Sequence, residues 1–336
     1  MATFKTISDG NIQTTRNVLN QLVDFVAQDV SESVTRKQYQ VFVTGGYGGT
    51  GVTSSLFHTV FDQNFALQTS NELFDLTVGI FDDSDLVSSA STGADTFGKK
   101  LYGSSSMMMR EKTAIYSQFS QLLLGDANAR FTAPFSEPAT DGSDDIDVAL
   151  FMPFKRLFTR DGIKRETFAM RFFKSASQAE QGEDGVGRNG VTNLFAPTTS
   201  GSTIFTDVGS AASIESSPAG GQVGNIVNSA NTNETVGLLF YDYGIAIYDL
   251  AKITSASQLM SGSIDCVGAT SGKTLVEGKF IPDFVVSASI DDINDHIAGT
   301  RFGSGSETFL TFQNNTFINS TLYFCRATAD EFNFSS

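Results

Sequence analysis

The residues best suited to chemistry are few, and each group lacks a partner that its reaction needs. Gly46, Gly48 and Gly51 in GGYGGTG (45–51) fit G-x-G-x-x-G, with a β-type stretch, YQVFVT (39–44), before them. Such a loop lets a pyrophosphate approach the backbone at a helix N-terminus. The acidic residue expected about 20 positions on, to hold a ribose, is missing: Asn64 to Asn71 contains no Asp or Glu. Read as a P-loop, the same glycines are followed by Val52, where Lys is needed to reach the β- and γ-phosphates. The segment therefore reads as a Gly-rich strand-to-helix turn, and no nucleotide is expected. The two histidines, His58 and His296, form no zinc pair, and no G-x-S-x-G elbow occurs. His58 falls on the apolar side of a predicted helix and reads as structural. Asp82-Asp83-Asp85 and Asp144-Asp145-Asp147 offer carboxylates for a glycosidase pair, but a raised-pKa acid needs an apolar site that spacing does not locate. Both clusters read as solvated turns, and the second lacks the Gly and terminal Glu of a calcium loop. Cys266 and Cys325 fit neither a disulfide framework nor a metal cluster and read as buried apolar thiols. No catalytic, cofactor-binding or metal-ligating residue is expected.

One charge feature is distinctive. Lys155, Arg156, Arg160, Lys164, Arg165, Arg171 and Lys174 crowd a short segment in which only Asp161 and Glu166 oppose them. The segment carries +5 on a chain of −15, so the remainder carries −20. Asp161-Gly162 lies between two apolar–polar runs within 147–173 and predicts a hairpin there. Either these charges form a solvated face that discourages stray strand pairing, or they form a basic patch that meets an acidic face of another copy or of another protein. The seven basic residues are the candidate interface.

The elements that must position these groups follow from periodicity. Apolar residues at Ile12, Leu19, Leu22, Val23, Val26 and Val30 predict an amphipathic helix over 11–30. Leu56, Phe57, Val60 and Phe61 predict another over 54–67, and Met108, Ile115, Phe119, Leu122 and Leu123 a third over 104–124, stopped by Gly125. Strands are expected at 39–44, 73–81, 279–290, 307–313 and 321–329, and a strand pair around Tyr243-Gly244 within 236–250. Residues 175–235 are rich in Ser, Gly, Asn and Thr and read as short strands and long surface excursions. The expected fold class is α+β: an α/β N-terminal assembly domain over 1–130 that holds most of the helices, and a β-rich domain over 131–336, of antiparallel sheets or sandwich-like, carrying the 175–235 excursion.

Length and composition agree with a folded chain. At 336 residues it can bury about three quarters of its unfolded surface without a disulfide or metal. Only 18% of residues are charged, there is no Trp, and 30 Phe with 31 Gly indicate aromatic-anchored cores joined by uncharged loops. A net charge of −15 disfavours nucleic acid and anionic membranes as partners. No apolar run approaches the roughly 18 residues of a membrane span, and MATFKTISDG has no secretory pattern.

Three segments of the C-terminal half are familiar. DGIKRETFAMRF (161–172), VGLLFYDYGIAIYDL (236–250) and STLYFCRATADEFNFSS (320–336) resemble parts of large virion structural proteins of contractile-tailed marine bacteriophages, of the cyanophage type. The resemblance implies a tail or baseplate component with no enzymatic activity and no cofactor. Its partners would be other virion structural proteins and further copies of itself, with no small-molecule substrate. It would be assembled in the host cytoplasm and reside in the virion. The alternatives within structure are a capsid, neck or fibre-attachment protein. From another class, the alternative is a virion enzyme, either nucleotide-binding or wall-degrading. Independently, uncharged polar loops and aromatic anchors suit large subunit interfaces, because they can be buried without unpaired ions.

Overall fold

The computed structural model describes residues 7–26, 35–42, 52–62, 68–84, 87, 91–94, 100–102, 106–135, 142–171, 204–212, 214–253, 290–297 and 309–325. The strands, in chain order, are β1 (Ile12–Val26), β2 (Thr35–Phe42), β3 (Val52–Phe61), β4 (Glu72–Ile80), β5 (Ser91–Ala94), β6 (Lys100–Tyr102), β7 (Phe131–Thr132), β8 (Asp145–Ile146) and β9 (Val148–Pro153). They continue with β10 (Gly162–Ile163), β11 (Ala169–Arg171), β12 (Ile204–Thr206), β13 (Glu215–Ser217), β14 (Gly221–Asn228), β15 (Asn231–Phe240), β16 (Ile245–Asp249) and β17 (Phe309–Tyr323). Helices occupy Ser106–Leu123, Arg156–Thr159, Leu250–Ile253 and Ile290–Ile297.

Thirteen of the strands form one sheet, in the order β1-β17-β11-β12-β14-β15-β16-β9-β4-β3-β2, with β10 added to β17 and β13 to β14. Every ladder in it is antiparallel. The fold is therefore mostly β, which corrects the α+β expectation. The helices are not gathered before residue 125, and two of the three expected N-terminal helices are strands. Residues 12–26 of the first form β1, and 54–61 of the second belong to β3. The spacing of Leu and Val there satisfied a helical period, but Thr14, Thr15, Asn17, Val18 and Asn20 are poor helix formers. Partners roughly 300 residues away supply the ladder that decides. The helix at Ser106–Leu123 forms as expected and is followed by Gly125, with φ of 84°.

The middle of the sheet is buried on both faces. Along β9, Leu150 and Met152 enter one core while Ala149 and Phe151 enter the other; along β16, Ala246 and Tyr248 alternate with Ile245 and Ile247 in the same way. Two-sided burial explains near-continuous apolar runs in strands of an antiparallel sheet. The helix Ser106–Leu123 covers the second face with Ile115, Tyr116, Phe119 and Leu123. Phe119 stacks on Phe151 at 4.1 Å between ring centroids. Leu250, Ile253, Ile293 and Ile297 from two short helices join the first core.

The sheet runs across the expected boundary near residue 130, because β4 pairs with β9 (Val78↔Leu150) and β1 with β17. Within 175–235, residues 204–235 supply β12, β13, β14 and part of β15 to the same sheet, with Phe205, Asp207, Val223 and Ile226 buried. That part supplies the expected short strands, with exposed turns between them, and is tied into the sheet instead of forming a long surface excursion. The strands around Tyr243-Gly244 form the expected hairpin, with Gly244 at φ of 64° in its turn. Of the expected strands at 307–313 and 321–329, residues 309–313 and 321–323 belong to the single strand β17, and 307–308 and 326–329 lie outside the described residues. The expected strand at 279–290 lies outside the described residues, apart from Ile290, which begins a helix.

Candidate assembly interface

The basic stretch does not form a hairpin. β9 leads into the helix Arg156–Thr159, and β10 and β11 then pair with β17. The seven basic residues are thereby separated. Lys155 Nζ lies 2.8 Å from Asp75 and 3.1 Å from Glu72 on β4; burial tends to lower its pKa, and these carboxylates more than offset that and raise it. Lys164 Nζ donates to Gln313 at 2.9 Å. Arg165 lies over the Tyr241 ring and donates to the carbonyls of Ser210 and Glu215 and to the Gln222 side chain. Arg171 sits in β11. Arg156 and Arg160 are exposed, with Arg156 3.8 Å from Asp161. Lys174 lies outside the described residues. The crowding in sequence thus becomes a set of internal anchors, plus two exposed arginines.

The remaining chemical candidates resolve into structure in the same way. Beneath Arg165, the buried Asp207 carboxylate accepts from the backbone N–H of Glu166 at 2.7 Å and of Phe168 at 3.1 Å, and from Tyr241 Oη at 2.9 Å. Burial raises its pKa, and these donors pull it back. Asp145 and Asp147 are not solvated turn residues, since Arg130 bridges both, while Lys252 approaches Asp144 and Asp249. Tyr116 Oη donates to the Ile146 carbonyl at 2.7 Å and accepts from Phe131 N–H at 2.9 Å; burial drives its pKa upward. His58 is buried on β3 and not on a helix. His296 lies in the helix Ile290–Ile297. Cys325 is exposed, which corrects its reading as a buried thiol, because the chain leaves the sheet after Tyr323. Cys266 and the glycine loop 45–51 lie outside the described residues. Among the described residues, no group of three or more His, Cys, Asp or Glu is placed to hold a metal ion.

What sequence reasoning missed is the β1–β17 ribbon. The strands pair over their full length, from Ile12↔Tyr323 to Val26↔Phe309. On its inner side, β17 meets β11 and β10 only as far as Asn315. The last inner tie is Phe317 N–H to Asp161 at 2.8 Å. From Asn17↔Ile318 to Ile12↔Tyr323, the ribbon therefore projects as two strands with no third among the described residues. Apolar side chains are exposed on both of its faces. Val18 (53%), Leu22 (62%) and Tyr323 share one face; Leu19 (58%), Ile318 (50%) and Leu322 share the other. A lone two-stranded ribbon is marginally stable in water, and apolar residues clustered on one element mark a docking surface.

The ribbon also has an open edge. Asp161 and Lys164 donate to the carbonyls of Asn315 and Gln313, so odd-numbered residues of β17 bond inward. Even-numbered residues of β17 therefore bond to odd-numbered residues of β1, in line with Phe324 N–H to Asn11 O at 2.8 Å. Thr14, Arg16, Val18, Asn20, Leu22 and Asp24 consequently turn their backbone N–H and C=O groups outward. Among the described residues no strand pairs with that edge. At the base, Gln21 to Asp24 border an open cleft of about 260 Å³ with Leu157, Phe158, Arg160 and Asn314. Arg160, one of the expected interface residues, thus reaches this region.

Such an arrangement can accept a strand, bury apolar surface and position charge. No protein-family model, curated protein or solved structure matches the chain.

Proposed function

We propose that this chain is a structural subunit of a bacteriophage virion, a component of the tail baseplate or its periphery, and that it acts by subunit association and catalyses no reaction. The observation that carries this reading is the projecting β1–β17 ribbon, with exposed apolar residues on both faces and an edge that no strand among the described residues pairs with. A long open edge of this kind is an aggregation hazard unless a partner covers it, and natural proteins normally blunt such edges with charge or proline. β1 has no Pro, and its only charged residues are Arg16 and Asp24. An apolar-studded edge without net charge is what a subunit needs if its stable state is the assembly. The resemblance of 161–172, 236–250 and 320–336 to virion structural proteins points to the same class.

The test compares wild type with the combined variant Val18→Ser, Leu19→Ser, Ile318→Ser in particles purified from the expressing host. The three positions are exposed, so the core is expected to melt unchanged. Wild type should band with particles at fixed stoichiometry, and the variant's incorporation should fall at least about tenfold, as for loss of interface anchors. Equal incorporation of both, or wild type absent from particles, would overturn the reading.

A further inference from the structure

We infer that the occupant of the open β1 edge is the same edge of a second copy, paired antiparallel about a two-fold axis at Asn20. This rests on the assembly reading and names its partner.

The argument begins with charge. Copies of a −15 chain repel one another, and a contact between them is least opposed where the surface carries no net charge. β1 and β17 together hold just two charged side chains, Arg16 and Asp24, of opposite sign. Both lie on the open strand. They also lie on one face, because both positions are even and strand side chains alternate. They are equidistant in sequence from Asn20.

Backbone geometry then limits the register. Even-numbered residues of β1 present their N–H and C=O groups outward, so two such edges can pair only even with even. Centring the pair on Asn20 sets Arg16 opposite Asp24 of the other copy, twice by symmetry. It sets Val18 opposite Leu22, also twice, and Asn20 opposite its own image. Each is a hydrogen-bonded pair in the ladder. Shifting the centre to Leu19 puts Arg16 against Leu22 and Asp24 against Thr14. Shifting it to Gln21 puts Asp24 against Val18. Only the Asn20 centre joins the charges and stacks the exposed aliphatics together, which is how cross-strand pairs select register. Arg16 already lies 3.8 Å over the Phe317 ring. Stacked in that way, a guanidinium still presents its N–H edge to a carboxylate. The contact is isologous, so it closes as a dimer instead of growing into a fibre.

The experiment is sedimentation velocity on the full-length chain across a concentration series. It uses wild type, Arg16→Glu, Asp24→Arg, the double variant, and an equimolar mixture of the two single variants. Wild type should dimerise reversibly. Each single variant places like charges opposite one another twice and should weaken dimerisation roughly tenfold or more. The double variant restores opposite charges and should recover. The mixture should also recover. In the mixed pair the introduced glutamate of one chain meets the introduced arginine of the other, and the unaltered Asp24 of the first meets the unaltered Arg16 of the second. A misfolded single variant would not be rescued by mixing, so recovery separates pairing from folding. Wild type that stays monomeric, variants that all dimerise equally, or singles that weaken without recovery on mixing would each overturn the inference. A monomeric chain still found in particles removes this pairing alone; a dimer that obeys the charge swap yet never enters particles removes the virion reading alone.

Discussion

Asp249 is the residue at which burial has the most measurable chemical effect. Its carboxylate ends β16 and caps the helix Leu250–Ile253, accepting the Ala251 N–H at 2.9 Å. Burial pushes its pKa up to about 6; Lys252 and two backbone N–H groups pull it down without cancelling that, and Asp147 adds to the rise. A folded-state pKa above the unfolded value means that the native state holds the proton more tightly. The resulting stabilisation is complete below about pH 4 and is lost as pH rises through about 6. Asp249→Asn keeps the shape and the capping acceptor but removes the titration. Relative to wild type, the variant is expected to gain on the order of 2 kcal/mol between about pH 4 and pH 8, read from urea midpoints. A difference that stays constant over that range would contradict the burial account. At this scale the sequence was legible for charge but not for contact. Lys155 and Arg165 read as surface cations because spacing cannot show Asp75 on β4 or the face of Tyr241 in the β15–β16 turn, each about 80 residues away. For the same reason Asp145 and Asp147 read as solvated, although Arg130 holds them.

At the scale of elements, local patterns succeeded where the deciding contacts were local. The Ser106–Leu123 helix and the β15–β16 hairpin have their stop and turn residues within a few positions. β1 and β3 failed because aliphatic spacing fitted a helical period by coincidence; the ladder that defines β1 comes from distant β17, and β3 is held between its sequence neighbours β2 and β4. The helix that did form packs unusually close to the sheet. A Cβ on Gly79 of β4 would lie 2.9 Å from the Tyr116 backbone nitrogen and 2.9 Å from the Phe151 ring. Backbone cannot yield as a side chain tip can, so Gly79→Ala should force the helix outward and open the contacts around Tyr116. The expected loss is roughly 1–3 kcal/mol of unfolding free energy, the range for overpacking. Chemical denaturation checks it, and an unchanged midpoint with unchanged slope would show that the helix has room.

At the scale of the whole molecule, one antiparallel sheet spans the described residues and ends at β1 on one side and β2 on the other. Its middle is sealed by two cores, and Lys155, Arg165, Asp145 and Asp207 are tied into that structure. Among the described residues the β1 side remains open, apolar and nearly uncharged on a strongly acidic chain. None of this was legible in the sequence, since an open edge is a property of strand order and not of any local run. The central claim is that this edge is covered in the working state. Hydrogen exchange resolved along β1 tests it most directly, comparing the chain diluted below association with the same chain in its assembled form. The outward amides of Arg16, Val18, Asn20, Leu22 and Asp24 should exchange rapidly in the dilute chain and become strongly protected on assembly, while the amides of β9 and β16 stay protected in both. Assembly that protects other segments and leaves these five amides exchanging as before would contradict the account.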